Sequence, residues 1–315
     1  MNALTIGDVR AASRRIAGSV RRVTVARDGS THLALEFLQH TGTFKARGAQ
    51  NFIRAHLDAG ALPEAGITIA SGGNAGLACA WAAAQHGVTA TVFVPESAPR
   101  VKVDRLRAYG ADVRPQGVDY GDALTACLEF AAATGALVSH AYDHPLIAAG
   151  AGTLMEEVHD QLPEVDVVVV AVGGGGLFTG VATAAQHYGV ATIAVEPQGC
   201  RALNAAVAAG HLVDVPVDSV AADSLGARRA SPLALRAARH PGVHSVCVPD
   251  ADIVRARRDL WENHRIVVEH GAATALAGLR SPEVADLVAG RTTCVVLCGA
   301  NTDPADLVAA SPVPG

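Results

Sequence analysis

Lys45 is the side chain on which chemistry can most readily be built. It stands in Gln39-His-Thr-Gly-Thr-Phe-Lys45-Ala-Arg-Gly-Ala-Gln-Asn51, after a small, polar, glycine-containing segment and directly before a helix start. A lysine so placed can lie at a domain edge with its amine directed into a cleft. If the site were desolvated and near Arg47, the ammonium form would be disfavoured and the free amine made available to a carbonyl. The competing reading is a solvated lysine at the beginning of a helix.

Three further segments offer groups a ligand could use. Ser71-Gly72-Gly73-Asn74-Ala75-Gly76 opens an Ala-rich helix, so free N–H groups and the helix dipole would face a carboxylate or phosphate. Alternatively, Gly72 and Gly73 only make a tight turn, and Ser71 or Asn74 only caps the helix. Gly173-Gly174-Gly175-Gly176 exposes four consecutive amides, which suits a phosphate monoester. It lacks both the dinucleotide spacing and the Gly-Lys-Ser/Thr of a nucleotide loop, which points to a phosphate on a small cofactor. Cys298 ends an apolar run and is followed by Gly-Ala-Asn-Thr-Asp303; its thiol could meet a ligand heteroatom or be a buried structural cysteine.

These segments need a scaffold, and the rest of the sequence supplies one. Short β-branched runs bounded by Gly, Pro or Asp alternate with Ala-rich stretches of helical length, the form of repeated βαβ units around a parallel sheet. Strands are expected at 67–70, 89–94, 111–114, 136–139, 165–172, 191–195 and 292–297, and helices at 75–86, 100–109, 122–134 and 176–188. Val165–Val172 is apolar throughout after Asp166, as in a central strand covered on both faces. Its downstream glycine loop then falls at the carboxyl edge of the sheet, where open α/β folds bind ligands.

Composition narrows the partners. The 315 residues are 50% hydrophobic and 17% charged, enough for a large core that usually divides into two domains. A net charge of −5 without a basic cluster argues against nucleic acid, and no run of about 18 apolar residues argues for a membrane span. The start of the chain shows no cleavable apolar leader, so a soluble cytoplasmic protein is expected. Six scattered cysteines fit reduced thiols. The 13 histidines show no metal-type pairing, and no Gly-x-Ser-x-Gly elbow is present.

Thr-Gly-Thr-Phe-Lys45-Ala-Arg-Gly-Ala, Ser-Gly-Gly-Asn74-Ala-Gly, Gly173–Gly176 and Leu-Cys298-Gly-Ala-Asn occur together in an order and spacing that resembles the fold-type II pyridoxal 5′-phosphate (PLP) enzymes, in their serine/threonine dehydratase branch. The likeness runs from about Ile6 to Asp303. It implies a tryptophan synthase β-like α/β fold of two open, doubly wound domains with the cofactor between them. Residues 1–45 and 144–315 would form the large domain, and 46–143 a small domain carrying the Asn74 loop. It further implies that Lys45 carries PLP as a Schiff base, Phe44 lies by the ring, Asn74 bonds the ring hydroxyl, Gly173, Gly174, Gly175 and Gly176 hold the phosphate, and Cys298 faces the pyridine nitrogen. Substrate carboxylate would settle on Ser71, Gly72, Gly73, Asn74 and Ala75, and the freed Lys45 amine would take the α-proton. The implied reaction is dehydration and deamination of a small β-hydroxy amino acid such as L-threonine or L-serine to a 2-oxo acid and ammonia, by a homodimer. β-Replacement of the cysteine synthase or threonine synthase type, and a PLP-binding protein without turnover, are the alternatives.

The chain departs from the family pattern at several positions. Where racemising members have a serine as second base, this chain has Gly72, so racemisation is not expected. Glu196-Pro-Gln-Gly-Cys200-Arg-Ala202 resembles the segment supplying a divalent or monovalent cation site, but the second carboxylate expected near Ala202 is missing; Glu196 is then a cation ligand, a helix cap or a solvated charge. Ser224 replaces a glycine near the cofactor. Glu269 precedes His270 instead of proline, and is either a carboxylate near the cofactor or an exposed charge at a helix entry. The chain leaves no room after Asp303 for a regulatory domain, so feedback control is not expected.

Overall fold

The computed structural model describes residues 3–308, so the proline-containing tail Ser311–Gly315 lies outside the described residues. The βαβ rhythm resolves into two sheets. The first contains β1 (Val25–Asp28), β2 (Thr31–Ala34), β7 (Val167–Ala171), β8 (Ala191–Pro197), β9 (Val243–Val248) and β10 (Thr293–Val296); the second contains β3 (Ile67–Ala70), β4 (Ala90–Val94), β5 (Asp112–Pro115) and β6 (Leu137–Val138). Every pairing is parallel except the β1–β2 hairpin.

Strand order explains where a ligand can go. The small sheet runs β5-β4-β3-β6, so the chain reverses direction of travel between β3 and β6. The large sheet runs β1-β2-β10-β7-β8-β9 and reverses between β10 and β7. Open α/β sheets bind ligands outside the carboxyl ends of the strands flanking such a reversal, because the two outgoing loops diverge there and leave a crevice. The loops after β3, β6, β7 and β10 carry Asn74, Tyr142, the four glycines and Cys298 respectively.

β7 is buried along its whole length, as expected for a continuous Val run between two helical layers. The large-sheet core includes Val167–Val172, Phe178, Ile193 and Val295; the small-sheet core includes Ile67, Leu77, Val92 and Leu106. The helix Lys45–Asp58 belongs to the second, through Ala46, Ala49, Phe52 and Ile53. The six cysteines are unpaired, and five of them are buried. No helix among the described residues is long and apolar enough to cross a membrane.

Arg47 pins the first turn of that helix. Its guanidinium is fully buried and donates to Glu36 at 2.7 and 3.0 Å, to Glu157 at 2.8 Å through two nitrogens, to Thr153 Oγ1 at 3.0 Å and to the Arg21 carbonyl at 3.2 Å. Glu36 is itself 1% exposed. Removing the arginine strands a carboxylate in a low-dielectric interior, so Arg47→Ala is expected to lower unfolding free energy by about 3–5 kcal/mol, read by urea denaturation. A loss below about 1 kcal/mol, the range of an exposed pair, would contradict that.

Candidate active site

The four loops meet in one narrow cleft lined by Phe44, Lys45, Asn74, Tyr142, Gly173–Gly176, Ser224, Leu225, Glu269 and Cys298, among others. Two wider clefts, of about 630 and 650 Å³, open elsewhere, but neither contains Lys45 or the glycine loop. The cleft is therefore singled out by its chemistry.

Lys45 is the first residue of its helix, and its amine is enclosed even though the residue as a whole is only half-buried. The amine donates to the Ala141 carbonyl at 2.6 Å and lies 4.9 Å from the Phe44 ring centroid. Burial lowers its pKa to about 8, an effect opposed by Cys298 and Glu269. Of the two causes expected from sequence, desolvation is the one that shifts it; Arg47 is not, its charge being matched by Glu36 and Glu157. The solvated-lysine reading is thus excluded. The unprotonated amine is the nucleophile, so its capture of an added aldehyde should quicken as pH rises through about 8 and level off above. Stopped-flow absorbance on the ligand-free protein mixed with an aromatic aldehyde checks this; a rate still climbing at the pKa of a free lysine, near 10.4, would contradict it.

Gly175 has φ +98° and caps the helix Gly176–His187 without any side-chain acceptor, leaving first-turn N–H groups to a ligand. The loop is walled in tightly. A Cβ at Gly174 would lie 2.4 Å from the Tyr142 ring, and one at Gly175 would lie 2.3 Å from the Ala234 Cβ. Backbone alone fits there.

Opposite, Gly73 caps the helix Asn74–Gln85, again without a side-chain acceptor. The Asn74 side chain does not cap the helix: its Nδ2 donates to both Glu269 oxygens, at 3.0 and 3.2 Å. Ser71 does not cap it either, its Oγ accepting the Gly73 N–H at 3.4 Å. Of the five residues assigned to substrate, Asn74 lines the cleft, while Ser71, Gly72, Gly73 and Ala75 do not.

Glu269 is 7% exposed, which removes the reading of an exposed helix-entry charge. Burial raises its pKa to about 7, against the pull of the Asn74 hydrogen bond. Cys298 is 3% exposed, and burial raises its pKa, keeping a neutral thiol. Ser224 does line the cleft, on the short helix Ala222–Leu225.

Glu196 lies apart from this group. Its carboxylate, fully buried at the end of β8, accepts the N–H groups of Leu203 at 2.8 Å and Asn204 at 2.7 Å, at the start of the helix Ala202–Ala209. Both oxygens serve the cap, and among the described residues no group of three or more His, Cys, Asp or Glu is arranged to hold a metal. The structure thus gives Glu196 the helix-capping contact that the sequence offered as one of its readings.

Sequence reasoning does not single out Tyr142. Its ring lies on Gly174, and its hydroxyl donates to the Arg229 carbonyl at 3.3 Å. The available signal is its position in the loop following the β6 strand at a sheet reversal.

An enclosed amine of lowered pKa, a side-chain-free loop at a helix start, an amide donor and a neutral thiol match the aldehyde, phosphate, ring hydroxyl and pyridine nitrogen of PLP, so the residues present fit that cofactor. The family profile described as pyridoxal-phosphate dependent enzyme matches residues 22–299. The L-threonine ammonia-lyase of Geobacter sulfurreducens is 38% identical over 270 residues, 85% of this chain and 66% of that protein, so the chain spans just under two thirds of this relative's length. The human serine dehydratase-like protein is 35% identical over 280 residues, 85% of this chain and 84% of that one. Among solved structures, maize serine racemase superposes with a TM-score of 0.91 at 29% identity, covering 97% of this chain and 96% of that chain. The fungal L-serine ammonia-lyase from Rhizomucor miehei gives 0.81 at 26%, covering 91% and 96%. The chain belongs to the pyridoxal-phosphate dependent enzymes of fold type II, in their serine/threonine dehydratase branch.

Proposed function

We propose that this protein is an ammonia-lyase that dehydrates and deaminates L-threonine or L-serine, with Lys45 as its catalytic residue. The enclosed Lys45 amine, facing both a bare glycine loop and the Asn74 helix start, carries this reading. Phe44, Asn74, Gly173–Gly176 and Cys298 would hold the cofactor. Bound PLP supplies the electron sink that lets a proton leave the substrate Cα. The N–H groups opening the helix Asn74–Gln85 bind the substrate carboxylate. Lys45 Nζ, as a free amine, would take the α-proton. Its lowered pKa places it near working pH, where a general base is most effective. The Cys298 thiol, held neutral by burial, would not keep a pyridine nitrogen protonated as a carboxylate would, which would favour prompt loss of the β-hydroxyl as water, with the proton taken by Lys45 Nζ balancing the departure. The released enamine hydrolyses in water to a 2-oxo acid and ammonia.

Gly72 separates this reading from racemisation: it offers no base, and a Cβ there would face the Val94 side chain at 3.3 Å. The purified protein with L-serine or L-threonine is expected to release ammonia and 2-oxo acid in equal amounts, with no D-serine by chiral chromatography. Product formed only when sulfide or phosphohomoserine is added would instead favour the replacement reactions, and no product at all a binding protein without turnover.

We also propose that residues 46–143 act as the small domain and 1–45 with 144–315 as the large one. The four-stranded sheet lies wholly within 67–138, and the six-stranded sheet uses only 25–34 and 167–296. The family habit supports a homodimer, and six unpaired cysteines support a cytoplasmic location.

A further inference from the structure

An asparagine amide can present either its oxygen or its N–H groups, and the two choices have opposite chemistry. At Asn74 a relay from outside the cleft settles the choice. It begins at the Thr41 carbonyl, which can only accept. Asn301 Nδ2 donates to it at 2.8 Å, and the same nitrogen donates to Asn74 Oδ1 at 2.8 Å. With Oδ1 engaged, Asn74 Nδ2 is turned toward Glu269.

The backbone at the start of the relay is strained. Thr41 has φ +62°, one of two non-glycine residues with positive φ among those described. A β-branched residue is strained there and persists only where its surroundings impose it. The surroundings here are the Asn301 segment. Gly42, at φ +74°, accepts the Ala300 N–H at 2.9 Å, and a Cβ on it would come to 3.0 Å from Asn301 Oδ1. The turn thus clasps Asn301 and aims the Thr41 carbonyl at its amide.

We infer that Asn301 is a positioning residue: held by the Thr41 carbonyl, it occupies Asn74 Oδ1 and commits the Asn74 amide to presenting N–H donors to an acceptor oxygen of the cofactor. The inference rests on the reading that Asn74 meets the PLP ring hydroxyl. The Asn74 amide has two N–H groups, so one can remain on Glu269 while the other serves the ligand.

Asn301→Asp removes the donor and sets a carboxylate against Asn74 Oδ1, so the Asn74 amide turns over and shows its oxygen to the site. With protein stripped of PLP by hydroxylamine and titrated with PLP by absorbance, the dissociation constant is expected to rise about tenfold. In an Asn74→Ala background the same replacement is expected to change it by less than about twofold, because coupled residues are non-additive. Asn301→Ala, expected to weaken binding about threefold with the same dependence on Asn74, carries the test if the aspartate variant fails to fold. Equal losses in both backgrounds would overturn the inference, since Asn301 would then act on the fold and not through Asn74. Wild-type affinity in Asn301→Asp beside a weakened Asn74→Ala would overturn it as well. Wild-type affinity in Asn74→Ala would instead overturn the cofactor role of Asn74 itself.

Discussion

Lys45→Ala is expected to lower ammonia release from L-threonine and L-serine by at least about a thousandfold, because it removes both the amine that holds PLP covalently and the base for the α-proton, the latter alone contributing roughly 10²–10⁴-fold. Borohydride treatment of the coloured wild-type protein, followed by peptide mapping, should place the adduct on Lys45, and the alanine variant should show none. Lys45→Arg sharpens the test: it keeps a positive charge opposite Glu269 and Cys298 but cannot form a Schiff base or act as a base near neutral pH. If Lys45 acted mainly as a cation, the arginine variant would keep most of the activity; the proposed role requires a comparable loss in both. Full turnover in Lys45→Ala would end the proposal.

How much of this site can be read from sequence differs from residue to residue, for physical reasons. The glycine loop is legible because four adjacent residues without Cβ, between an apolar strand and a helix, have few purposes other than exposing backbone. The strand before it is legible because a run buried on both faces must be apolar. Lys45 alone is not: enclosure of its amine depends on Ala141, Glu269 and Cys298, all distant in sequence, and only the resemblance joins them. Arg47 reads locally as a neighbour that tunes Lys45, and wrongly so, since nothing nearby announces that Glu36 and Glu157, 11 and 110 residues away, close around it.

The missed elements show the same limit. β1, β2 and β9 contain Arg, Asp, Thr, His and Ser and are only partly buried, so they lack the continuous apolar signal of β7. For Glu196, Glu269, Ser71 and Asn74, the sequence offers a capping or surface reading beside the functional one. The structure makes Glu196 a cap, buries Glu269 in the cleft and turns Asn74 away from its own helix. Each outcome depends on what lies opposite the residue, which one-dimensional spacing does not contain.

The glycine loop gives the second large effect, and its first three positions should respond unequally. Gly175→Ala is expected to weaken PLP binding about a hundredfold or more, because an L-residue at this positive φ is strained by roughly 1–2 kcal/mol and the clash adds to it. Its new Cβ would lie 2.3 Å from the Ala234 Cβ, on the helix Pro232–Ala238, so backbone must move to admit it. The N–H groups that meet the phosphate move with it. Gly174→Ala meets the Tyr142 ring at 2.4 Å, a side chain that can rotate aside, and about tenfold is expected. Gly173→Ala approaches the Leu225 Cα at 3.1 Å, a gap that a shift of a few tenths of an ångström relieves, so its loss should be the smallest. PLP titration of the three stripped variants reads the order directly. If Gly174→Ala proved the most damaging, the phosphate would have to bind where the Tyr142 ring limits the loop, and the helix start at Gly175 would no longer be its anchor.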